Sequence, residues 1–128
     1  MDAIHTYAEL VTALEAGERV AAVVHYGQCL LDHEPGPDVA MGFDFDGFEE
    51  YAKAAVGNPV GFVVTTRTRW AQDSEVGHVR SFVRLKVYED ERVELVVEEF
   101  DRKDKIVAAR TFGCGLGESS GLLLFAGR

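Results

Sequence analysis

Gly61-Phe62-Val63-Val64-Thr65-Thr66-Arg67-Thr68-Arg69-Trp70 is the stretch on which the reading of the fold turns. It is rich in β-branched and aromatic residues and has no proline, which is the composition of a strand. Alternation puts Phe62, Val64, Thr66, Thr68 and Trp70 on one face and Val63, Thr65, Arg67 and Arg69 on the other. A turn-like segment, Ala71 to Gly77, leads into His78 to Tyr88. There Val79, Ser81, Val83, Leu85 and Val87 alternate with His78, Arg80, Phe82, Arg84, Lys86 and Tyr88. A helix would not sort these residues so cleanly. Glu89 to Arg92 and then Asp101 to Asp104 turn the chain into further strands, predicted over Val93 to Asp101 and Lys105 to Phe112. Loops this short make neighbouring strands antiparallel, because a parallel crossover needs about a dozen residues.

In this meander one face holds aliphatics and the other mixes aromatics with arginines, threonines and a histidine. A closed barrel with a polar-aromatic lumen produces that pattern. A plain sheet with one face in water produces it too. The expectation is a mainly β fold: an antiparallel, calycin-like β-barrel of seven or eight strands with an N-terminal amphipathic helix.

The rest of the chain supplies what closes or caps that sheet. Thr6 and Glu9 have capping-box spacing, and Tyr7, Leu10, Val11 and Leu14 mark one helical face ended by Gly17. A strand is predicted from Glu18 to Tyr26, a loop from Asp32 to Asp38, and a short strand from Gly42 to Phe48. Phe48 to Val56 reads as a short helix ended by Gly57-Asn58-Pro59. The apolar run Gly121 to Ala126 is a last strand, placed to close the sheet.

A single domain is all that 128 residues imply. With 13 basic against 22 acidic residues the formal net charge is −9, which argues against a nucleic-acid backbone or an anionic membrane as partner. No apolar run reaches the roughly 20 residues of a membrane span. Met1-Asp2-Ala3-Ile4-His5 has neither the basic nor the apolar region of a secretory signal peptide.

Few residue patterns point to chemistry. The four histidines show no zinc spacing. The run Asp44-Phe45-Asp46-Gly47 lacks the third ligand and closing glutamate of a calcium loop, so no metal or cofactor is expected. His25 and His78 lie in predicted strands opposite the more aliphatic face. If that face lines a cavity, either would serve as a general base; otherwise both face solvent. The strand arginines Arg67, Arg69, Arg80, Arg84 and Arg110 fit cross-strand pairs with Glu94, Glu98 or Glu99, or an anion clamp for a ligand carboxylate. Phe43, Phe62, Trp70, Phe82 and Tyr88 would line an apolar pocket in a barrel and would be core in a sandwich. Cys29 and Cys114, 85 residues apart, read as two buried thiols or as a disulfide. The chain-entropy model values such a link at roughly 4 to 5 kcal/mol.

Two signatures together carry a family resemblance. One runs from Tyr7-Ala8-Glu9-Leu10-Val11-Thr12-Ala13-Leu14-Glu15-Ala16-Gly17 through a strand to Gly27-Gln28-Cys29. The other is Thr111-Phe112-Gly113-Cys114-Gly115-Leu116-Gly117 followed by an apolar strand. Over nearly the whole chain this resembles the VirK family, small bacterial proteins linked to virulence regions. The resemblance implies an exported (periplasmic or secreted) protein in which Cys29 and Cys114 pair. It supplies no catalytic residues.

Three functions follow as expectations. The first is an exported protein holding a small apolar or amphipathic molecule in the barrel, against Phe43, Phe62, Arg67, Trp70, Phe82, Arg84 and Tyr88. The second is a cofactor-free cyclase, isomerase or hydrolase using a lumenal histidine with an acidic or arginine partner. The third is an interaction or effector domain that needs no pocket. Oligomeric state is open.

Overall fold

The meander is the spine of the protein. The computed structural model describes residues 2–73 and 77–127, with backbone alone for 71–73. Its four long strands are β7 (Phe62–Asp73), β8 (Gly77–Tyr88), β9 (Arg92–Phe100) and β10 (Ile106–Leu116). Each is antiparallel to the next, and Thr65, Leu85, Leu95 and Phe112 stand in one cross-strand row. Before the meander come β1 (Asp2–Ile4), α1 (Tyr7–Glu15), β2 (Arg19–His25), β3 (Leu30–Leu31), β4 (Glu34–Pro35), β5 (Ala40–Asp44) and β6 (Glu49–Tyr51); β11 (Gly121–Gly127) ends the chain. One sheet runs β5-β2-β11-β10-β9-β8-β7-β6, with β1 on β11, β3 on β10 and β4 on β3.

That sheet curls into a half-barrel with one helix. The expected calycin-like closed barrel is thus met at the level of a curled, mainly β sheet. Among the described residues β5 and β6 stand at opposite edges and do not pair. The last strand does not close the edges either. It runs through the middle, antiparallel to β2 from Leu122–Val24 to Gly127–Arg19 and parallel to β10 at Gly115–Gly121 and Leu116–Leu122. Short loops make neighbours antiparallel only when the chain reverses once. Here Gly117 and Gly121, at φ +122° and +110°, let it double back within a few residues.

α1 forms as the spacing predicts. The Thr6 side chain accepts from the Glu9 N–H at 3.1 Å, and Gly17, at φ +76°, ends the helix with its N–H bonded to the Leu14 carbonyl. Leu10, Ala13 and Leu14 are buried in one core cluster with Val63, Leu85, Val87, Val93 and Leu95, which stand on the inner face of the sheet. The aliphatic face of the meander is therefore the inner one. Burial of each such leucine contributes about 1.5–3 kcal/mol, and the polar-aromatic face is left outside.

Other differences from the sequence reading are local. The helix expected over Phe48–Val56 is absent; Glu49–Tyr51 instead pairs with β7, and the Tyr51 ring lies 4.8 Å from that of Phe62. Asn58 then staples the following turn, donating to the Ala52 and Val60 carbonyls and accepting from the Val56 N–H. The apolar spacing there suited a helix, but the pairing partner was nonlocal. The loop expected over Asp32 to Asp38 contains part of the β3–β4 hairpin. The turn expected over Ala71 to Gly77 is shorter, since strand pairing persists to Asp73 and Gly77, and residues 74–76 lie outside the described residues.

Candidate functional site

Along the inner face every long strand changes character from one end to the other. Toward the β8–β9 turn that face carries Val63 and Thr65, Leu85 and Val87, Val93 and Leu95, all buried. Toward the other end the register sets Arg69 opposite Ser81 and Ser81 opposite Glu99; one row back are Arg67, Val83, Val97 and Arg110. The helix covers the first end. The second is open, and it holds a pocket of about 290 Å³.

Aromatic rings make its floor: Tyr26 and Phe112 pack with centroids 4.6 Å apart. Tyr26 ends β2 in a short 3-10 turn (Tyr26–Gln28), and Cys29, directly after it, is joined by a disulfide to Cys114 of β10. This cross-link ties the turn to the sheet. Gly121 makes room for it, since a Cβ there would lie 2.5 Å from the Cys29 sulfur. The wall comes from residues 36–39. The Gly36 N–H bonds to the Cys29 carbonyl at 3.0 Å and the Tyr26 N–H to the Val39 carbonyl at 2.9 Å. A Cβ on Gly36 would collide with the Tyr26 carbonyl, so glycine lets this segment lie flat and bring Pro37 and Val39 to the rim.

Polar groups enter this apolar setting from the strands. Arg110 Nη1 lies 3.4 Å from Glu99 Oε1. Arg67 Nη1 lies 3.7 Å from Asp46 Oδ2, just outside the pocket lining. Arg69 has no ion-pair partner among the described residues. Burial pushes the Tyr26 phenol up from its ordinary value, tempered by the Arg69 and Arg110 charges; the hydroxyl stays protonated and donates to Met41 Sδ at 3.4 Å.

The seven ligand-contact candidates from the sequence do not converge. Phe43 is buried in the core and Arg67 is on the inner face, while Phe62, Trp70, Phe82, Arg84 and Tyr88 share the outer face. Phe62 and Arg84 line a larger groove of about 550 Å³ between that face and residues 47–56. Its cations are already engaged, with Lys86 Nζ 4.2 Å above the Phe62 ring and Arg84 3.7 Å from Glu94. Trp70 is 69% exposed. His25, at the end of β2 opposite Ala40, and His78, exposed on β8, also belong to the outer face. Neither lines the open-end pocket, and neither is bonded to a carboxylate among the described residues.

Sequence reasoning did not single out Tyr26, Ser81, Val97, Glu99 and Phe112 as a site. The signal was present in the register: the inner-face series of β7 turns from Val63 and Thr65 to Arg67 and Arg69. Among the described residues no group of histidine, cysteine or carboxylate side chains is arranged to hold a metal ion, and no helix is long and apolar enough to cross a membrane.

Comparison with known proteins agrees with the fold. A sequence model of the VirK protein family matches residues 3–105. The crystal structure of lpg1832, a VirK family protein from Legionella pneumophila, superposes with a TM-score of 0.80 at 12% sequence identity, over 98% of this chain and 99% of that one. No curated protein matches the sequence.

Proposed function

The chain belongs to the VirK family, and on that premise we propose that it is a small exported binding protein that holds an apolar or amphipathic small molecule at the open end of its half-barrel. One observation carries this reading: a concave pocket of about 290 Å³ in which Tyr26, Phe112, Val97, Pro37 and Val39 surround a few converging polar groups. Small-molecule sites have that composition, and this volume falls at the small end of their range. The Cys29–Cys114 disulfide supports export, because such bonds persist in oxidising compartments.

A thermal-shift screen against small apolar and amphipathic compounds tests the reading. A true ligand at 100 times its dissociation constant adds about 2.7 kcal/mol, a visible rise in melting temperature. Hits should lose their effect in Val97→Trp, which fills the pocket. Absence of any shift would overturn the reading in favour of an interaction role for the outer face, where Trp70 stands exposed.

A further inference from the structure

We propose that the polar end of the bound molecule is a carboxylate, received by Arg69 and Arg110 at the rim of the open-end pocket. This rests on the small-molecule reading above and specifies its chemistry. Arg67, Arg80, Arg84 and Arg110 each have a carboxylate within 3.7, 2.9, 3.7 and 3.4 Å. Among the described residues Arg19, Arg69 and Arg92 are the strand arginines without one, and of these Arg69 is the one that lines this pocket.

Register explains why. Glu99 is the carboxylate in Arg69's own cross-strand row, but Ser81 stands between them. Adjacent strands are about 4.8 Å apart, so two strand spacings separate the backbones of Arg69 and Glu99. Ser81 is small, 3% exposed, and lines the pocket between them. A ligand carboxylate seated there would meet Arg69 from one side. Arg110 reaches it from the neighbouring row, since a guanidinium holding Glu99 by one nitrogen keeps further N–H donors.

Charge narrows the ligand class. The chain carries a net −9, yet the lining of this pocket sets two guanidiniums against one carboxylate. An amine would meet repulsion at the rim. A neutral amide would leave Arg69 without an anionic partner. Arginine binds carboxylates through paired, charge-assisted hydrogen bonds, which are about twice as strong as neutral ones. The protonated Tyr26 hydroxyl lies close enough to both arginines to feel their charge. The apolar remainder of the ligand would rest on Phe112 and Val97, so aryl and short-chain carboxylates fit the volume.

Matched probes separate the head-group claim from the pocket claim. Phenylacetate with phenylacetamide, and hexanoate with hexanamide, are titrated into isotope-labelled protein, following the amide signals of Tyr26, Ser81, Val97 and Phe112. We expect the acids to bind at least roughly tenfold tighter than their amides, the ratio a lost charged hydrogen bond produces. That preference should vanish in Arg69→Gln and shrink in Arg110→Gln, while Lys53→Gln, a charge-matched change at an exposed turn, keeps it. Acid and amide binding equally well would overturn the carboxylate assignment and leave the small-molecule reading standing. Signals at the open end unmoved by all four probes would overturn both. The acid–amide ratio is read on the unaltered protein, so an unstable variant does not blunt the test.

Discussion

The two ends of the inner face are built from the same four strands and do opposite things. At one end Leu10 and Leu14 of α1 share a buried apolar core with Val63, Leu85, Val87, Val93 and Leu95. Carboxylates crowd its rim. Glu91 accepts the Tyr7 N–H, and burial, with the Glu50 and Glu89 charges behind it, pushes the Tyr7 phenol up to about 12. At the other end no helix intervenes, arginines line the rim, and a pocket remains. The difference teaches that tight packing and open pocket space occupy separate ends of one sheet. A filled core and an open pocket cannot share the same square ångströms of apolar surface.

Cutting the cross-link between the ends should have the largest effect. The Cys29→Ser/Cys114→Ser protein is expected to lose about 4 kcal/mol in urea denaturation, since an 85-residue loop is freed. Ligand binding should weaken with it, because Tyr26 and residues 36–39 depend on that anchor. A loss below about 1 kcal/mol would show that the segment is held by its hydrogen bonds alone.

Truncation within the core contrasts the ends directly. Leu85→Ala removes a fully buried side chain and should cost about 2–5 kcal/mol. Val97→Ala, half-buried at the open end, should cost about 1 kcal/mol and alter binding more than folding. Equal costs would mean that the open end is packed as tightly as the covered one.

Electrostatic changes come last. Arg69→Gln is expected to shift stability by no more than about 0.5 kcal/mol, as for other exposed charges. At the covered end the Glu50 carboxyl is raised by a shared hydrogen bond with Glu15, then by burial and by the Glu15 charge. A carboxyl raised in the folded state favours folding below its unfolded pKa, about 4.3, and loses that contribution as pH rises through the folded value. Wild type should therefore lose stability relative to Glu50→Gln as pH climbs from about 4.3 through the raised folded value. Parallel stability curves for the two proteins would rule out the shared proton.

Much of this molecule is legible in its residues, and the reason is locality. Alternation from Phe62 to Trp70 and from His78 to Tyr88 depends only on the strand period, so it sorts side chains onto two faces without knowledge of the fold. Capping by Thr6 and termination at Gly17 are decided within one turn of the helix itself. The choice of a disulfide over two buried thiols came only through family resemblance, as nothing in the spacing of Cys29 and Cys114 brings them together. What periodicity could not supply is which face turns inward. Phe62, Trp70, Phe82 and Tyr88 look like pocket lining until α1 is seen on the other side of the sheet.

The site itself was split between these levels. The sequence by itself determined a mainly β chain, its N-terminal helix, its strand faces and an acidic surface, all set by residues within a few positions of one another. Tertiary structure alone decided that the sheet stays a half-barrel, because β11 is threaded between β10 and β2 and leaves β5 and β6 at separate edges. It alone decided that Arg69 faces Ser81 across one strand boundary and Glu99 across two. Those contacts join residues distant in sequence, and their geometry follows from register and curl, which no local pattern encodes.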